Sequence, residues 1–227
     1  MPLYSIQHLS PTAVLGLWHL TETPEDLWAA LPSPAAYQVL LPATADARRR
    51  AQWLAGRRLA HALFGELPTP PPPETMVHND ATGRPWLAGA PAGTVVSLSH
   101  SGEWAAAVLA QGGRAGVDIE LIRGKAQRLA GKFLAQTEWD HARAATAPSD
   151  AEAHYTLLWS AKEALYKLAA RRGIIFRHQL LLHEFSPQTS GEIPATLVLD
   201  GAQTRHRICY TQPAPGYVLT YCHEPAG

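Results

Sequence analysis

HYTLLWSAKEALYKLAARRG, residues 154–173, is the strongest helical pattern in the chain. Taking Glu163 as zero on a wheel of roughly 100° per residue, Lys167 falls near 40°, Trp159 near −40° and Ser160 near 60°. Leu158, Ala161, Leu165 and Leu168 gather on the opposite side. That side predicts a core-facing stripe, and Gly173 is expected to close the helix. Glu163 and Lys167 would do nothing for a core. Alone, they read as an i, i+4 ion pair contributing a few tenths of a kcal/mol on a solvated face.

Upstream, AGVDIEL (115–121) has the period of a strand. Val117 and Ile119 share one face, and Asp118 and Glu120 share the other. Carboxylates on one face repel unless a positive group lies between them. A hard divalent cation would meet that need, and so would plain solvation of an edge strand. A third carboxylate, Glu163, would favour the cation, but spacing does not place it there.

Elsewhere the chain alternates short strands with helices. Strands are expected at 13–20, 94–100, 103–110, 195–200, 205–211 and 216–224, the last two joined by a hairpin at QPAPG. Helices are expected at 24–31, 45–67 and 132–145. PTPPPPE (68–74) stops the second of these segments, since proline cannot donate to a helical ladder. Each half combines helices with antiparallel strands. The expected class is therefore α+β, in two similar lobes spanning 1–114 and 115–227.

At 227 residues the chain can bury a substantial core. Its 19 Lys+Arg balance 19 Asp+Glu, which excludes the global basic field of a nucleic-acid binder. No stretch is long and apolar enough for a membrane span, and residues 1–20 lack the plan of a signal peptide. Cys209 and Cys222 are too few for a disulfide framework. A cytoplasmic protein is expected.

SLSHSGEW (97–104) puts Ser99, His100 and Ser101 where a strand runs into a turn. It lacks the nucleophile elbow of a serine hydrolase, but hydroxyls, backbone N–H groups and a histidine suit a phosphate. Arg49, Arg50, Arg57, Arg58 and Arg84 could add guanidinium forks. An exposed helix face explains the arginine run equally well.

In order, RRRAQWLAGRRLA (48–60), GRP (83–85), SLSHS (97–101), GVDIE (116–120), KFLAQTEW (132–139) and WSAKEALYK (159–167) resemble the 4′-phosphopantetheinyl transferases of the surfactin-synthetase-activating (Sfp-like) type, which include the enterobactin-synthetase component. The resemblance covers about residues 45–170. It implies a pseudo-twofold α+β monomer with coenzyme A bound in a cleft between lobes. It also implies transfer of phosphopantetheine to a carrier-protein serine, with release of adenosine 3′,5′-bisphosphate. By the same resemblance, Asp118, Glu120 and Glu163 would hold Mg²⁺ or Mn²⁺, and Lys167 would face the pyrophosphate. His100, Ser99, Arg57, Arg84 and one of Arg49 or Arg50 would contact coenzyme A phosphates. Glu138 matches a position assigned to proton transfer, leaving Glu138 and Glu163 as candidate bases. Arg84 stands where many relatives carry lysine.

The segment LIRGKAQRLAGKFL (121–134) reads as a basic loop with Arg123, Lys125, Arg128 and Lys132. It is the expected docking surface for an acidic acyl or peptidyl carrier of fatty-acid, polyketide or nonribosomal-peptide synthesis. Two other readings stand beside this one. They are a different Mg²⁺-dependent nucleotide or phosphoester enzyme, and a non-catalytic module that binds coenzyme A or a carrier.

Overall fold

LYSIQHLS has no clear period, yet it forms β1 (Leu3–Ser10), paired antiparallel with β2 (Ala13–His19). Four of its eight residues are exposed, and its pairing partner supplies the order that its own sequence does not encode. The computed structural model describes residues 2–41, 45–145, 147 and 150–226. The chain divides into two compact units: one runs through Ala115 and takes in the chain again from His223, and the other is Gly116–Cys222.

In the first unit, α1 (Pro24–Ala29) starts with a reciprocal capping box between Thr23 and Asp26. The short α2 (Pro34–Tyr37) follows, and then α3 (Ala47–Ala62), capped by Asp46. A separate 3₁₀ turn, Phe64–Glu66, ends the helical segment before the prolines. β3 (Met76–Asn79) and β4 (Pro85–Ala88) make a two-stranded hairpin. β5 (Thr94–Ser101) and β6 (Trp104–Gln111) complete a four-stranded sheet ordered β1-β2-β6-β5. Leu54, Leu59 and Leu63 of the helical segment join Val14, Val96, Ala107 and Leu109 of that sheet in one core.

In the second unit, β7 (Arg114–Leu121) leads to α4 (Lys125–Phe133), α5 (Gln136–Ala145), α6 (Ala151–Ala169) and α7 (Phe176–Gln179). β8 (Leu180–Leu182), β9 (Ser190–Leu199), β10 (Ala202–Thr211) and β11 (Tyr217–Glu224) follow. The sheet order is β7-β11-β10-β9-β8. The expected stripe Leu158, Ala161, Leu165 and Leu168 of α6 is buried against Ile193, Leu197, Ile208 and Val218 of this sheet. Helices with antiparallel strand pairs make the fold α+β, as expected. No helix of the described residues is long and apolar enough to cross a membrane.

Three boundaries differ from expectation. The supposed loop 121–134 holds α4. The expected helix 132–145 is interrupted, because Leu134 is extended (φ −88°, ψ 141°) and buried between α4 and α5. α6 ends at Ala169 rather than at Gly173, since Ala170 takes the left-handed conformation at φ 54°.

One glycine fixes the packing of the second unit. A Cβ on Gly116 would lie 2.0 Å from the Ala164 carbonyl oxygen and 2.8 Å from the Leu168 nitrogen. The backbone of α6 therefore rests directly on β7, a distance only glycine permits. Gly116→Ala should force the helix off the strand and cost at least about 2 kcal/mol. Urea denaturation of the two proteins measures this; an unchanged midpoint would contradict the close approach.

Candidate active site

Because α6 lies so near β7, the acidic face of the strand meets the polar stripe of the helix. Asp118 is buried, at 5% relative exposure, while Val117 and Ile119 point into the core. Lys167 Nζ donates to the Val117 carbonyl at 2.8 Å and to Asp118 Oδ1 at 2.9 Å. Just over two turns towards the start of α6, the Trp159 indole N–H donates to Glu120 Oε1 at 3.0 Å. Ser160, buried, shares a 2.9 Å hydrogen bond with Thr220 of β11.

Glu163 projects among these groups. Its carboxyl is pushed up to about 7, first by burial and then by the charges of Asp118 and Glu120, with Lys167 pulling the other way. The third carboxylate thus shares its surroundings with the first two, which spacing alone could not establish. The donors are all carboxylate oxygens, the kind a hard divalent cation takes. Added positive charge would relieve the repulsion on Glu163. Among the described residues, however, no three His, Cys, Asp or Glu side chains surround a point that could hold a metal ion. Lys167 lies on Asp118, and Trp159 on Glu120.

Glu138 has a different setting. Its Oε2 accepts from Lys162 Nζ and from the Ala135 N–H, each at 2.6 Å, and its Oε1 accepts from the Leu182 N–H at 2.6 Å. Lys162 is fully buried and also donates to the carbonyls of Phe133 and Phe176 at 2.9 and 3.4 Å. This pair fastens α4, α5, α6, α7 and β8 together. Removing one partner would leave an uncompensated interior charge. Sequence reasoning missed Lys162, although its wheel position near −100° lies about 40° from Leu158 on the apolar side. It also missed Trp159 as a partner for Glu120, since an aromatic residue beside a core stripe gives no sign of a hydrogen bond.

The phosphate-side candidates belong to the first unit. Arg57 is buried and stacks over the Trp53 ring at 3.6 Å. Its Nη2 donates to Asn79 Oδ1, and Asn79 Nδ2 in turn donates to the Gly83 carbonyl at 2.6 Å. Arg57 is thereby linked to the turn that carries Arg84, an exposed residue. Burial lowers the Arg57 guanidinium to about 9. Its buried Nε has no hydrogen-bond partner. A desolvated cation of this kind favours an incoming anion. Ser99 and His100 sit at the end of β5, opposite Ala106 and Ala105 of β6; His100 is exposed. Arg49 is exposed and gives its backbone N–H to the Asp46 cap. Arg50 instead faces a groove of about 260 Å³ with Trp28, Gln38 and Leu54.

Residues 114–222 match the 4′-phosphopantetheinyl transferase superfamily, and residues 36–110 match the 4′-phosphopantetheinyl transferase N-terminal domain. The chain belongs to the 4′-phosphopantetheinyl transferase superfamily. It is 36% identical over 122 residues to the 4′-phosphopantetheinyl transferase AcpT of Salmonella typhimurium, covering 52% of this chain and 58% of that protein. It is 29% identical over 181 residues to the 4′-phosphopantetheinyl transferase psf-1 of Bacillus pumilus, covering 80% and 69% respectively. The chain thus spans under two thirds of the length of AcpT. In this superfamily member the carboxylates and Lys167 all lie within the second unit and within the matched segment.

Two outcomes follow from the buried charges. In the unfolded chain Glu163 ionises near its ordinary 4.5, and in the fold near 7. Its protonated form is stabilised in the fold, so in chelator the folded state loses stability as pH rises through that window. Glu163→Gln should remove this loss and melt about 3 °C higher or more at pH 8, with little difference at pH 4. Equal melting of the two proteins at pH 8 would show that Glu163 is not perturbed. Lys162→Met, by stranding Glu138, should cost about 3–5 kcal/mol in urea denaturation, and adding Glu138→Gln should recover part of it.

Proposed function

We propose that the protein transfers the 4′-phosphopantetheine group of coenzyme A to a serine of an apo acyl or peptidyl carrier protein. The observation that carries this reading is the gathering of Asp118, Glu120, Glu163 and Lys167 by β7 and α6, on a chain of this superfamily. A non-catalytic binding module would have no use for three neighbouring carboxylates, one of them shifted towards neutrality.

In the proposed reaction the serine Oγ forms a bond to phosphorus, and the bond from that phosphorus to the bridging pyrophosphate oxygen breaks. The serine proton goes to an acceptor, and adenosine 3′,5′-bisphosphate leaves. Asp118, Glu120 and Glu163 would hold Mg²⁺ or Mn²⁺, which when bound supplies charge against that developing on the phosphoryl oxygens. Lys167, anchored on Asp118 and the Val117 carbonyl, would stabilise the charge developing on the leaving phosphate of adenosine 3′,5′-bisphosphate. Of the two candidate bases, Glu138 already accepts three hydrogen bonds inside the protein. Glu163 stands near 7 with no cation bound and would be pulled down on ligating one, so the proton acceptor is Glu138, Glu163 or a water.

Arg57, Arg84, Ser99, His100 and one of Arg49 or Arg50 are assigned to the phosphates of coenzyme A. Buried Arg57 is the strongest of these on physical grounds. The carrier is assigned to the basic segment of Arg123, Lys125, Arg128 and Lys132, which the fold places on α4 and the turn before it.

Incubation with coenzyme A, Mg²⁺ and an apo carrier, followed by mass spectrometry of the carrier, tests the reading. The expected result is a gain of one phosphopantetheine, abolished by chelator and reduced by about a hundredfold or more in Glu163→Gln. No gain across fatty-acid, polyketide and peptide carriers, or full activity in Glu163→Gln, would overturn it.

A further inference from the structure

The apolar floor of the site extends beyond α6. Trp159 packs edge-on against Phe133 of α4 and stacks with Phe176 of α7, with ring centroids 5.1 and 5.8 Å apart. Phe176 also lies against Tyr166, at 5.4 Å. Lys162 draws the same two helices together through the Phe133 and Phe176 carbonyls. α4 and α7 therefore flank the tryptophan that holds Glu120.

Just before α7, Ile175 is 55% exposed, the only large hydrophobic residue of the second unit so exposed among the described residues. A lone surface isoleucine is ordinarily unremarked. This one is set among cations. Arg177 and His178 follow it on α7, and Arg128 and Lys132 are exposed on α4. Arg128, Lys132 and Arg177 form no ion pair with any described carboxylate, whereas Arg171 nearby is paired with Asp200. Glu152 and Arg128 both lie near Gly124, within 2.8 and 3.1 Å of where its Cβ would be. An apolar centre with unneutralised positive charge around it fits an acidic partner that offers an apolar residue of its own.

We infer that α7 joins α4 in one docking face for the carrier, with Ile175 as its apolar anchor and Arg177 as a charge contact. The occupant is the acidic, serine-bearing segment of the carrier, because that face borders Trp159 and, through it, Glu120 of the carboxylate group beside which the phosphorus attacked by the serine is assigned. This rests on the transferase reading above and adds to it a second helix and a specificity-determining residue.

The test is steady-state transfer with varied apo carrier and varied coenzyme A. Ile175→Asp should raise KM for carrier at least about fivefold, and Arg177→Glu about threefold with the effect fading at high salt. KM for coenzyme A should stay within about twofold in both, since neither side chain is assigned to that substrate. Thermal melting checks that the variants fold, and should Ile175→Asp be unstable, Ile175→Ser with Arg177→Glu decides the matter. Carrier KM unchanged in folded, active variants overturns the docking face while leaving the transferase reading intact. Absence of transfer by the unaltered protein overturns both.

Discussion

The backbone of α6 lies on β7 without a side chain between them, and the chemistry of the second unit depends on that contact. At the usual helix-on-sheet spacing, Glu163 and the Asp118–Glu120 face would be separated by a layer of side chains and would titrate independently. At Gly116 the layer is missing. The strand then offers Val117 and Asp118 to Lys167, and the helix offers Glu163 to the strand's carboxylates. A glycine in a strand weakens it as a strand; here it sets the distance between two charged surfaces.

Residues 162 and 163 are adjacent in sequence and show two opposite treatments of buried charge. Lys162 is neutralised by Glu138 and two carbonyls, so its environment is complete and its role is to hold helices in place. Glu163 is buried with like charges around it and, among the described residues, Lys167 alone to offset them, so its environment is incomplete. Interiors normally select the first arrangement. Where the second persists, local stability has been sacrificed, and such places are commonly sites of chemistry. Arg57 in the first unit is a related case, a desolvated guanidinium with one nitrogen still lacking a partner.

The α+β class, the buried stripe of α6 and the two-faced character of β7 could be read from the sequence, because each rests on a period of 3.6 or 2 within one segment. The superfamily could be read from the order of six short motifs. What could not be read depends on residues far apart in the chain. β1 is a strand through its pairing with β2, not through its own pattern. The break at Leu134 exists because the Glu138 carboxylate caps the start of α5, a bond made possible by Lys162 from another helix. The rise of Glu163 towards 7 comes first from burial and then from Asp118 and Glu120, more than forty residues upstream, brought alongside it by the fold. The wheel showed where these side chains could point, and only tertiary packing decided what they would meet.

The return of the chain from β11 bears on how the protein is built. Glu224 pairs with Arg114 at 2.5 Å, and a Cβ on Gly113 would overlap the Glu224 carbonyl oxygen at 1.8 Å, so the first unit closes around residues made after the whole of the second. On a ribosome, residues 2–115 emerge early but lack this last piece until 116–222 have passed through the exit tunnel. Synthesis order and assembly order are therefore interleaved, because the first unit is completed only after the second has been made.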